Sequence, residues 1–138
     1  MHIHIYETRH PQDDAWDPES YPDHPDFAEA AVLPTTPRDW LLRPVARIAA
    51  TVESPLDAAE WHAKWIEANP RPAEQWGLNT PEREVVNLAR VLADRGDRVH
   101  GIVVAGELIV AAYIPCPTVC GKYACPEGRS DGPEDWHV

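Results

Sequence analysis

A capped amphipathic helix, a glycine stop and a tight hairpin succeed one another between Thr80 and Ile114, and that succession limits the folds open to this chain. Thr80 suits an N-cap, Pro81 the first helical position, and Glu82 and Glu84 the positive end of the helix dipole. At 100° per residue Val85, Leu88, Ala89 and Leu92 share one face, while Arg83, Asn87, Arg90 and Asp94 lie opposite. Gly96 is the expected left-handed residue after the last turn. Val99–Val104 and Leu108–Ile114 then read as two strands joined at Ala105 and Gly106. The second strand is apolar on both faces, so it needs cover on both sides. The helix supplies one cover and another part of the chain must supply the second.

Residues 2–8 alternate, with His2, His4 and Tyr6 on one side and Ile3 and Ile5 on the other, which predicts a half-buried strand. Its polar side suggests an edge position in the sheet. Thr36–Asp39 reads as a helix start, and the spacing of Leu41, Val45, Ile48 and Val52 predicts a helix over 44–53, with a strand as the competing assignment. Ser54 and Pro55 start another helix, ending near Asn69, that is apolar on two sides. Leu56, Ala59, Ala63 and Ile66 form one stripe; Ala58, Trp61, Trp65 and Ala68 form the other.

These elements predict an α+β fold: a small antiparallel sheet, made of the N-terminal strand and the C-terminal hairpin, packed by two to three helices. A winged-helix-like arrangement is the alternative. At 138 residues the chain is expected to be a single domain, 1–138. Its parts are an N-terminal strand (1–10), an acidic segment rich in proline and aromatic residues (11–36), helices and hairpin (37–114) and a cysteine-containing tail (115–138).

The net charge of −11 is uneven. Residues 1–30 hold eight acidic groups and one arginine, whereas residues 31–114 hold eleven acids and nine bases. A basic footprint of the kind that displaces counterions from nucleic acid is missing, so direct nucleic-acid binding is not expected. No apolar run approaches the roughly 20 residues a membrane span needs, and no secretory leader is read at the start. The expectation is therefore a cytoplasmic protein without membrane contact. Its charge and rings point to a regulatory or inhibitory protein docking on a basic surface of a protein partner. The residues assigned to that surface are Asp13, Asp14, Trp16, Asp17, Glu19, Tyr21, Asp23, Asp26 and Phe27, with Trp61 and Trp65.

Chemistry concentrates in the tail, where Cys116, Cys120 and Cys125 stand among prolines and glycines. The fragment CPTVCG resembles the knuckle of zinc ribbons, with one extra residue between its cysteines and no second CxxC. A Cys3His zinc site built from Cys116, Cys120, Cys125 and His137 follows, with His100, His4 or His2 as other sources of the nitrogen ligand. Reduced thiols that pack as small hydrophobes, or a disulfide leaving one cysteine over, compete with it. His2 and His4, about 7 Å apart by strand rise, form a second candidate pair for a small metal-dependent enzyme, with His10 or His24 adding a ligand. His62 and His100 read as ordinary surface or core-edge residues. No phosphate-binding glycine loop, dinucleotide fingerprint or nucleophile elbow occurs, and no residue is assigned a catalytic role.

Overall fold

The computed structural model describes residues 1–13, 17–118 and 123–129. Four strands, β1 (His2–Pro11), β2 (Ile48–Val52), β3 (Arg98–Val104) and β4 (Glu107–Cys116), form one antiparallel sheet in the order β2-β1-β4-β3. Two α-helices, α1 (Pro55–Ala68) and α2 (Pro81–Ala93), pack against it. The α+β class expected from the pattern is the class observed. The hairpin strands are part of the sheet and do not project as a wing.

Sequence explains most local boundaries. Thr80 Oγ accepts the Arg83 amide at 3.1 Å and Ser54 Oγ accepts the Asp57 amide at 3.1 Å, so both α-helices begin with a side-chain cap followed by proline. Ala105 and Gly106 both adopt positive φ, 52° and 81°, the conformation that lets a two-residue turn match the twist of its strands. One detail of the α2 stop differs from expectation. The left-handed residue is Arg95, at φ 66°, and Gly96 serves close packing instead: a Cβ there would lie 2.9 Å from a Val91 side-chain methyl.

Two larger expectations need correction. β1 is an interior strand over Ile3–Tyr6, paired there with β2 on one side and β4 on the other, and the side bearing His2, His4 and Tyr6 faces protein and not solvent. The expected helix over 44–53 is also not formed. A 3₁₀ turn at Val45–Arg47 leads into β2, whose β-branched Ile48, Thr51 and Val52 complete the sheet along β1. Non-local pairing overrides the local 3.6-residue spacing.

Each face of the sheet has its own cover. Under the helices, Ile3, Ile5, Ala111 and Tyr113 pack with Ala58, Trp65, Ile66, Leu88 and Leu92. On the other face, Tyr6, Ala112 and Ile114 pack with Trp40 and Leu41, which lie in a 3₁₀ segment at Pro37–Leu42. The front segment belongs to this second cover. Its 3₁₀ turns at Pro18–Ser20 and Phe27–Glu29 bring Phe27 to Arg43, whose guanidinium lies 4.5 Å from the Phe27 ring and 4.7 Å from the Trp40 ring. None of the described helices is long and apolar enough to cross a membrane.

Candidate metal centre

The alternation of β1 puts His2 and His4 on the face away from the α-helices, and cross-strand register carries Cys116 to the same place. His2 pairs with Cys116 and His4 with Ile114, so these side chains share a face at the end of the β1–β4 ladder. Cys125 arrives from the tail. Its Sγ lies 3.5 Å from His2 Nε2 and 3.5 Å from His4 Nε2. Ligand atoms of His2, His4, Cys116 and Cys125 all fall within 4.8 Å of one another. His2 and His4 are fully buried, Cys116 nearly so, and Cys125 is half-buried.

The spacing suits a small cation. An ion about 2.3 Å from sulfur and about 2.0 Å from nitrogen in tetrahedral geometry separates those two atoms by about 3.5 Å. The surrounding hydrogen bonds also set the His4 ring. The single hydroxyl proton of Thr51 goes to Glu127 Oε1 at 3.1 Å, so Thr51 Oγ accepts the proton of His4 Nδ1 at 3.0 Å. That tautomer leaves the lone pair on Nε2, the atom facing Cys125. Thr51 is the cross-strand partner of His4 in the β1–β2 ladder, so the strand that replaces the expected helix supplies the group orienting a ligand.

The described tail is held by more than Cys125. Tyr123 donates to Asp39 Oδ1 at 2.7 Å, and Arg129 makes a two-pronged pair with Glu53, both contacts at 3.1 Å. Tyr6 stands on the same sheet face as the histidines. Burial, followed by the nearby Cys116, Cys125 and Glu127, pushes its hydroxyl well above the ordinary tyrosine value, so it remains a neutral phenol.

A second cluster lies beneath the α-helices, and sequence reasoning missed it. His62 from α1, Glu84 from α2 and His100 from β3 place ligand atoms within 4.8 Å of one another, and all three are buried. Glu84 Oε2 is 3.5 Å from His62 Nε2 and 3.5 Å from His100 Nδ1. Arg98 donates to Glu84 Oε1 at 2.5 Å and to Oε2 at 3.2 Å, while Asn79 donates to Oε1 at 3.2 Å. Tyr113 hydrogen-bonds to His62 Nδ1. The signal was present in the spacing: Glu84 lies four and eight residues before Leu88 and Leu92, and His62 lies midway between Ala58 and Ile66. Both are polar residues on buried helical stripes. The position of Glu84 in the first turn of α2 gave it a simpler explanation as a dipole-favoured acid.

Burial lowers the pKa of His62 and outweighs the opposing effect of Glu84. For Glu84, burial acts upward, but the close approach of His100 and His62 and the hydrogen bonds and charge of Arg98 hold it far below the ordinary carboxylate range. Both shifts make the unfolded chain bind more protons in acid than the folded one. Metal-free protein is therefore expected to lose stability as pH falls below about 6.5, where His62 of the unfolded chain takes up its proton, and again through about 4.5, where Glu84 of the unfolded chain does. Denaturant midpoints measured from pH 8 to pH 4 check this; a midpoint that rises on acidification would contradict it.

The other expected site residues are distributed as follows. Cys120 and His137, assigned to a Cys3His set, lie outside the described residues, as do Asp14 and Trp16. His100 belongs to the Glu84 cluster and not to the cysteines. His10 is buried beside Leu33, its Nε2 accepting the Leu33 amide at 3.4 Å, and His24 accepts the Asp26 amide. Asp13, Tyr21, Asp23 and Asp26 are exposed; Asp17 and Glu19 are half-buried, with Asp17 capping the Glu19 amide at 2.9 Å. Phe27 and Trp65 are buried in the core and Trp61 is half-buried against Tyr113. Comparison with protein-family models, with curated proteins and with solved structures gives no match.

Proposed function

We propose that this protein is a zinc-stabilised module in which His2, His4, Cys116 and Cys125 form a closed structural site fastening the C-terminal tail to the sheet. The observation that carries this reading is the position of Cys125 Sγ, 3.5 Å from both imidazole Nε2 atoms. Two thiolates and two imidazoles are a donor set that suits Zn2+ in tetrahedral geometry, and four protein ligands leave no position open for a substrate. The set supports a structural role over the small metal-dependent enzyme suggested by His2 and His4 alone. Metal analysis of protein purified without a histidine tag tests it: at least about one equivalent of zinc per chain is expected, and zinc well below half an equivalent would contradict it.

A second reading concerns the front segment. The exposed carboxylates of Asp13, Asp23 and Asp26 make no ion pair among the described residues, and Tyr21 beside them is 49% exposed. Together with a shallow cleft of about 350 Å³ lined by Pro18, Tyr21, Asp23, His24 and Pro25, this supports docking on a basic surface of a protein partner. Phe27 and Trp65, being buried, act in it only as supports. Binding should weaken steeply as salt rises from low to physiological concentration and beyond; a partner retained equally at all salt concentrations would contradict the electrostatic basis.

A further inference from the structure

We infer that His62, Glu84 and His100 form a second, open metal site that binds a divalent first-row transition ion with an anionic fourth ligand. The geometry has an unusual feature. A buried imidazole beside a buried carboxylate ordinarily closes to a hydrogen bond of about 2.8 Å. Here both contacts to Glu84 Oε2 stay at 3.5 Å, and His62 Nε2, fully buried, has no hydrogen-bond partner among the described residues. A tetrahedral ion about 2.1 Å from each of two nitrogen or oxygen ligands holds them about 3.4 Å apart, which is the spacing observed.

The neighbouring groups prepare these atoms as ligands. Arg71 Nη2 lies 3.4 Å from His100 Nδ1 and donates to Gly101 O at 2.5 Å. A guanidinium carries only donors, so the lone pair of His100 lies on Nδ1, and an ion bound there takes the place of the long Arg71 contact. Tyr113 holds His62 Nδ1, leaving Nε2 toward Glu84. Arg98 and Asn79 grip Glu84 Oε1, fixing Oε2 toward both rings. Three protein ligands, two imidazoles and a carboxylate, leave the fourth position free, the arrangement of catalytic zinc and of non-haem iron sites. Arg71 and Arg98 add two positive charges against one carboxylate. With the charge of the divalent ion added the excess is larger still, so an anionic fourth ligand, hydroxide or a substrate oxyanion, is favoured over a neutral one because it reduces that excess. Arg98, 34% exposed, connects the cluster to solvent.

The test is a Co2+ titration of the full-length chain already carrying one equivalent of zinc. Expected is one saturable equivalent whose visible bands lack sulfur-to-cobalt charge transfer, and which is lost in His100→Gln and in Glu84→Gln. Because the first site contains thiolates, cobalt there would carry that charge-transfer signature; the same titration of the metal-free Cys116→Ser/Cys125→Ser chain, which lacks the first site, keeps the failure of one site distinct from that of the other. His62→Gln replaces Glu84→Gln if the latter does not give the circular dichroism of the folded chain. No thiolate-free saturable binding, or binding that survives these substitutions, would overturn the inference.

Discussion

Cys125→Ser is expected to weaken zinc binding by more than the roughly 10- to 100-fold that loss of an outer-shell partner costs, and to loosen the tail around residue 125, which Tyr123 and Arg129 still tie at either side. Serine cannot supply a thiolate, and Cys125 approaches both imidazoles from the tail side. Thr51→Val provides the calibrated comparison. It removes the nearer acceptor of the His4 Nδ1 proton, leaving Glu127 Oε1 at 3.6 Å, and removes no ligand, so its loss should not exceed roughly 10- to 100-fold. Competition against a chelator of known affinity measures both. Hydrogen exchange of the tail amides reports the loosening, with faster exchange expected in Cys125→Ser than in Thr51→Val, which removes only the Thr51–Glu127 contact from the tail. Equal zinc affinity in Cys125→Ser and wild type would remove Cys125 from the site.

Glu84→Leu is expected to destabilise the fold by about 3 kcal/mol, near the low end of the range for breaking a buried ion pair from one side, because Arg98 is partly exposed and keeps some hydration. The substitution leaves the Arg98 guanidinium and the His62 and His100 rings facing a hydrocarbon in a site from which water is largely excluded. The double variant Glu84→Leu/Arg98→Met should recover a large part of the loss, since both charges are then gone and apolar contacts replace them. Urea midpoints at pH 7, with unchanged slopes, supply the measurement. A double variant no more stable than Glu84→Leu would show that Glu84 acts through some group other than Arg98.

How far the sequence could be read depended on how local each determinant was. α2 and the hairpin were legible because cap, stripe and turn residues lie within a few positions of the contacts they make. The need for a second cover on β4 was legible too, from a strand with no polar face. The placement of β1 was not, because His2, His4 and Tyr6 look like a solvent face when nothing shows what lies opposite. At β2 the competing strand assignment is the one realised, for a related reason: Val45, Ile48 and Val52 fit a helical period, but the open edge of β1, more than forty residues earlier, captures the segment as a strand.

The candidate metal centre was legible in halves. Strand alternation paired His2 with His4, and the tail composition marked Cys116 and Cys125, but their convergence spans more than 110 residues and rests on β1–β4 register. The His62–Glu84–His100 cluster stayed hidden because each member had an ordinary local explanation. A polar residue on an apolar helical stripe was the available clue at both Glu84 and His62, and a buried strand position was the clue at His100.

Zinc-edge X-ray absorption of protein carrying one equivalent of zinc reads the ligand set of the first site directly. Two sulfur neighbours at about 2.3 Å and two imidazole nitrogens at about 2.0 Å are predicted. Three sulfurs with one nitrogen, or a shell of nitrogen and oxygen alone, would contradict the assignment of His2, His4, Cys116 and Cys125.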